Sequence, residues 1–176
     1  MTQERTPIGP SSGAPLDASN RFATLAFERA VAAPPTALWE AWTAPVARAI
    51  WAPPSPEIAV EFLEADTRAG GREIALCKAA GRPDIRCETG WLDLAPGRRS
   101  VNYEVAASEG VTHSAALVTA EISGARDRSR LRVTVQLCSL SKDMQADYRA
   151  GFGAGLDNLV GVAERTMVLQ RVSTAA

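Results

Sequence analysis

Three side chains could do acid–base chemistry if the fold brought them together: Glu73, Glu88 and Tyr103. A carboxylate held in apolar surroundings resists ionisation and can serve as a general acid or base. A neighbouring phenol can donate a hydrogen bond to a carbonyl or an enolate. Alternation along the chain decides whether the three meet. SVNYEVAA (100–107) puts Tyr103 on one face with Val101 and Val105. In RCETGWLDL (86–94), Glu88 and Gly90 share a face with Leu92 and Leu94. After the turn DTRAGG, Glu73, Ala75 and Cys77 share a face of the next stretch. With the apolar faces turned inward, the three groups line one cavity. Against this stands register: a slip of one residue sends each carboxylate out to water, and edge strands use such charges for solubility.

Other reactive types carry weaker patterns. Arg68, Arg72 and Arg86 lie near the same stretches and could hold an acidic ligand group by a bidentate contact, although surface ion pairing is the commoner role. His113 is the single histidine and falls on a polar face, where a bystander is the ordinary reading; the adjacent Ser114 makes no triad. Cys77, Cys87 and Cys138 lack CxxC spacing, which points to free thiols in a reducing cytoplasm. Cys77 would line the cavity as a small hydrophobe. No metal site and no cofactor are expected. Gly70-Gly71 is followed by no GK[ST], so it is a strand turn and no phosphate loop. Trp39 and Trp42 read as core, while Trp51, in a proline-bounded turn, reads as a pocket-rim residue.

The elements that must hold these residues come from periodicity. RFATLAFERAVAA is a first strand, roughly 22–32, stopped by Pro34 and Pro35, which suit a helix first turn. Leu38, Trp39 and Trp42 give a short helix over 36–43, and a second ends at Trp51 before PPSP (53–56). The period then falls to two. Strands are expected at 58–65, 72–78, 86–94, 100–107, 113–122 and 130–138, joined by short turns, which implies an antiparallel meander. From Ser141, a plausible N-cap followed by Asp143, a helix of 142–170 carries the stripe Met144, Tyr148, Phe152, Leu156, Leu159, Ala163 and Met167. Gly151, Gly153 and Gly155 interrupt it, marking close approach, unfilled room or a bend.

The predicted architecture is α+β: a curved antiparallel sheet of about seven strands around one long C-terminal helix, with two short helices after the first strand. Such a sheet can close at its edges while its middle stays too wide to fill. The expected lining is Trp51, Cys77, Val101, Val105, Val133, Tyr148, Phe152 and Leu156. Residues 1–20 read as a disordered leader with no apolar signal core, 21–171 as one domain and 172–176 as a frayed tail. A length of 176 residues suits one such domain. A net charge of −1, with basic residues scattered among acids, gives no field for nucleic acid or anionic lipid. No apolar run is long enough for a membrane span.

These segments resemble the SRPBCC superfamily (START-like, birch-pollen-allergen-like, with the helix-grip fold), in the branch of the activator of the heat-shock-protein-ninety ATPase. FERAVAAPPTALWEAWTAPVARAIWAPP is similar to that branch's opening, through Glu28-Arg29, Ala33-Pro34, Leu38-Trp39, Ala41-Trp42-Thr43, Pro45 and Trp51. DTRAGGR (66–72) resembles its D-x-R-x-G-G-R turn, Gly90 with LDLAPGR (92–98) its G-x-x-x-E-I-x-P-P-E-R segment, and FGAGLDNLVGVAE (152–164) its closing helix. Ile50-Trp51 stands where a paired tryptophan is usual, Phe152 where a tryptophan is usual, and Glu73 and Ala75 where aromatics often follow the glycine turn. The similarity spans about residues 22–168. It implies a cytoplasmic binder of a hydrophobic small molecule, lipid- or polyketide-like. It also leaves open a cyclase- or hydrolase-type enzyme using the same cavity, and a chaperone-associated interaction module with a protein partner or a homodimer.

Overall fold

The computed structural model describes residues 21–140 and 144–174, with side chains as far as Arg165 in the last helix. The expected leader (1–20), the expected cap at Ser141 and Asp143, and the side chain of Met167 lie outside the described residues. The order is β1 (Phe22–Val31), α1 (Pro35–Thr43), α2 (Pro45–Trp51), β2 (Ile58–Ala65), β3 (Arg72–Ala79), β4 (Ile85–Ala95), β5 (Arg99–Ser108), β6 (Val111–Ala125), β7 (Arg128–Ser139) and α3 (Met144–Thr174). All seven strands form one antiparallel sheet in the order β1-β7-β6-β5-β4-β3-β2. This is the α+β helix-grip architecture. α3 runs four residues past its expected end.

Proline chemistry places the short helices. Pro35 opens α1, where a missing N–H costs nothing, and Pro45 does the same for α2. Ala44, between them, is extended, as the residue before a proline prefers, so α1 must stop there. Turn glycines then reverse the sheet: Gly97 lies at φ 71° and Gly110 at φ 79°, both in the left-handed region.

The core lies between the three helices and the inner face of β1, β6 and β7. Leu25, Leu38, Val118, Leu131, Val133, Val135, Leu137, Leu156 and Leu159 are fully buried there. Each is worth about 1.5–3 kcal/mol of transfer free energy. Val133 and Leu156, expected in a ligand cavity, belong to this packed core. Trp51 does too. It is 7% exposed, stacks on Trp42 with ring centroids 5.5 Å apart, and donates its indole N–H to the Ala41 carbonyl at 2.8 Å. The expected pocket rim is therefore a core wedge, because a large aromatic with a satisfied N–H gains more from burial than from a lid position. A Cβ on Gly155 would meet the carbonyls of Trp51 and Ala52 at 3.4 Å, an ordinary contact distance, so α3 passes beside the α2 terminus there. Asn158 secures the same junction by donating to the Pro53 carbonyl at 2.9 Å.

Candidate functional site

On β5 the large apolar residues face outward. Ser100 and Asn102 are buried, while Tyr103 is exposed. Trp42 donates its indole N–H to Ser100 Oγ at 2.9 Å, and Tyr148 donates its phenol to Glu104 Oε2 at 2.9 Å. The inner face thus carries Ser100, Asn102 and Glu104, and alternation turns Val101, Tyr103 and Val105 out. The ladder carries the correction to β4. Gly90 pairs with Tyr103, and a Cβ on Gly90 would run into the Tyr103 ring. Glu88 shares that outer face, where Arg86 donates to it at 3.2 Å. The expected inward set of Glu88, Tyr103, Val101 and Val105 fails for one physical reason. Apolar alternation marks a face of uniform chemistry, not its direction, and buried polar side chains are tolerated wherever partners wait for them.

Glu73 does face inward and is 1% exposed. It is not available as an acid or base in a cavity. Arg48 of α2 is ion-paired to its Oε2, and Thr67 donates to Oε1 at 2.5 Å. The Arg48 guanidinium lies over the rings of Phe62 (4.9 Å) and Trp91 (5.3 Å). This pair ties α2 to β3 and closes one end of the inner sheet face.

The other end stays open. α3 packs on β1, β7, α1 and α2, and the inner face of β3, β4 and β5 is buried at Ala75, Thr89, Ser100 and Asn102 but only half-buried towards its other end. Val60, Cys77, Cys87, Glu104 and Ala106 all point inward yet are only half-buried. Tyr148 and Phe152 overhang this face from α3, stacked with centroids 5.5 Å apart, and Phe152 also meets Phe27 of β1 at 5.4 Å. The result is a cleft with aromatic and thiol walls and a carboxylate between them.

Its electrostatics follow from contact and burial. The Cys77 and Cys87 sulfurs are 3.8 Å apart on adjacent strands. The hydrogen bond from Cys87 makes Cys77 the more acidic thiol, while that same bond and burial push Cys87 up. Burial, then the carboxylate of Glu104, push the Tyr148 phenol well above its ordinary value, so it remains a donor. Asn102 Nδ2 donates weakly to Glu104 Oε1 at 3.4 Å. Of the predicted lining, Cys77, Tyr148 and Phe152 meet here. Glu104, Asn102 and Cys87 were missed. Their signal was present in the alternation of Ser100, Asn102 and Glu104 at every second position, but it reads as a solvent face until the helix above supplies partners.

Elsewhere, a groove of about 590 Å³ runs between the proline loop after α2 and the middle of α3, lined by Ile50, Pro54, Ile58, Asn158, Val162 and Arg165 among others. Among the described residues, no three His, Cys, Asp or Glu gather as a metal site requires. Among the described residues, no helix is long and apolar enough to cross a membrane.

A family described as "Activator of Hsp90 ATPase homolog 1-like protein" matches residues 32–164. Among solved structures, the Mll3558 protein from Rhizobium loti is 25% identical with a TM-score of 0.70, over 80% of this chain and 96% of that one. An uncharacterized protein from Rhizobium leguminosarum is 26% identical with a TM-score of 0.71, over 82% and 95% of the two chains. The CV1439 protein from Chromobacterium violaceum, at 22% identity and a TM-score of 0.69, shares the fold over 80% and 96%. No curated protein matches.

Proposed function

From its membership of the Activator of Hsp90 ATPase homolog 1-like family, within the SRPBCC superfamily, we propose that this protein binds a hydrophobic small molecule, lipid- or polyketide-like, between the sheet and α3. The observation that carries this reading is the half-buried end of the inner sheet face, at Val60, Cys77, Cys87, Glu104 and Ala106. A folded domain gains about 25 cal/mol per Å² by covering apolar surface, so inward side chains left half-buried under an aromatic overhang are a place held for something else. Cys77, Tyr148 and Phe152 are the binding residues from the sequence that this reading keeps, with Val60 and Ala106 added. The binder is preferred over a cyclase or hydrolase because Glu88 and Tyr103 stand on the opposite face from Glu73, and Glu73 is neutralised by Arg48. Three free thiols suit a reducing compartment, so we assign the protein to the cytoplasm.

Native mass spectrometry on freshly purified protein tests the proposal. A stoichiometric apolar adduct, released on denaturation, is the expected result. A clean apo mass that stays clean after incubation with a mixed lipid and polyketide extract would overturn it.

A further inference from the structure

Glu104 is the chemical anomaly of the cleft. Its carboxylate faces inward and is half-buried, and its two protein partners, Tyr148 and Asn102, are neutral donors. A carboxylate has about four acceptor positions, so two remain open. Among the described residues no cation pairs with it. The basic groups nearest along the ladder are committed elsewhere. Arg48 holds Glu73 at the closed end. Lys78 and Arg86 are on the outer face, with Glu61 and Glu88. The walls beside Glu104 are the stacked rings of Tyr148 and Phe152 and two thiols. Aromatic faces attract cations and repel anions, and a partly desolvated carboxylate gains most from an opposite charge that brings its own hydrogens.

We propose that the cleft selects an apolar molecule carrying a protonated amine, with Glu104 as the counter-charge and the Tyr148 ring beside the ammonium. This rests on the cleft being the binding site and names the class of ligand it takes. The amine would use the open acceptor positions of Glu104 without displacing Tyr148. The chain of the ligand would lie over Val60, Cys77 and Ala106. A fatty acid of the same length would meet the same walls but place like charge against Glu104.

The test compares dodecylamine, dodecanol and dodecanoate at pH 7, below their micelle-forming concentrations, by tryptophan fluorescence titration and by native mass spectrometry. Dodecylamine is expected to bind one to one and at least tenfold more tightly than dodecanoate, with dodecanol between them. Glu104→Gln is expected to cost the amine about tenfold and to leave dodecanol within twofold. Tyr148→Phe keeps the carboxylate and is expected to keep the preference for amine. Glu61→Gln, an exposed carboxylate on β2, controls for surface attraction and should change nothing. Equal or tighter binding of dodecanol or dodecanoate, or a Glu104→Gln variant that binds amine like the parent, overturns the amine assignment while the cleft reading stands. Saturable binding of none of the three overturns both.

Discussion

Thr89 alone separates Glu73 from Glu104 in the row that crosses β3, β4 and β5, and the two carboxylates live under opposite conditions. Two strand spacings put their backbones roughly 10 Å apart on the same inner face. Glu73 sits under α2, which supplies Arg48 as a charge partner. Glu104 sits under the first turns of α3, which supply no cation to it, and is held by the Tyr148 phenol and the Asn102 amide. One is structural, closing the end of the sheet; the other is left with unused acceptor capacity where the cleft opens.

Removing the cation should therefore damage the fold. Arg48→Met leaves Glu73 buried without its counter-charge, and a broken buried pair costs about 3–5 kcal/mol. Urea denaturation should show a lower midpoint with an unchanged slope. Replacing both partners, Arg48→Met with Glu73→Leu, should recover most of the loss.

Residues on the outer face should be silent in binding. Glu88→Gln and Tyr103→Phe are expected to leave the affinity for an apolar probe within twofold and stability within about 0.5 kcal/mol, as ordinary surface changes do. A tenfold loss of affinity in either variant would mean that the face assignment of β5 is wrong.

The two inward thiols should differ in reactivity. Cys77 is drawn down by the hydrogen bond from Cys87, and Cys87 is pushed up by that bond and by burial. The thiolate is the nucleophile, so iodoacetamide should alkylate Cys77 before Cys87 in peptide mapping at mildly alkaline pH. A bound apolar ligand should slow the Cys77 reaction, and the rate at Cys138, on the outer face, should not change.

Tyr148 gives a pH signature. Its phenol titrates well above the ordinary value because burial and Glu104 disfavour the phenolate. A folded-state value above the unfolded one means that the unfolded chain releases this proton first. Stability from Tyr148 is thus fully present below about pH 10 and lost as pH rises towards the folded value. Tyr148→Phe should flatten that alkaline decline in thermal melts. If the decline is identical with and without the phenol, Tyr148 is not buried against Glu104.

The sequence by itself determined the elements and their order. The period of two through β2 to β7, the prolines at 34, 35 and 45, and the stripe from Tyr148 to Leu159 each follow from local geometry, so they are legible in one dimension. It also determined that Glu73 and Cys77 share a face, because alternation is strict within a strand. Direction was decided only in three dimensions. Val101, Tyr103 and Val105 look like a core face by composition, yet Ser100 and Glu104 turn inward because Trp42 and Tyr148 meet them from helices far away in sequence. Likewise no local pattern in β3 announces Arg48, which converts Glu73 from a candidate acid into half of an ion pair. A strand fixes which residues share a face; what is packed above that face decides whether it is core, cleft or solvent.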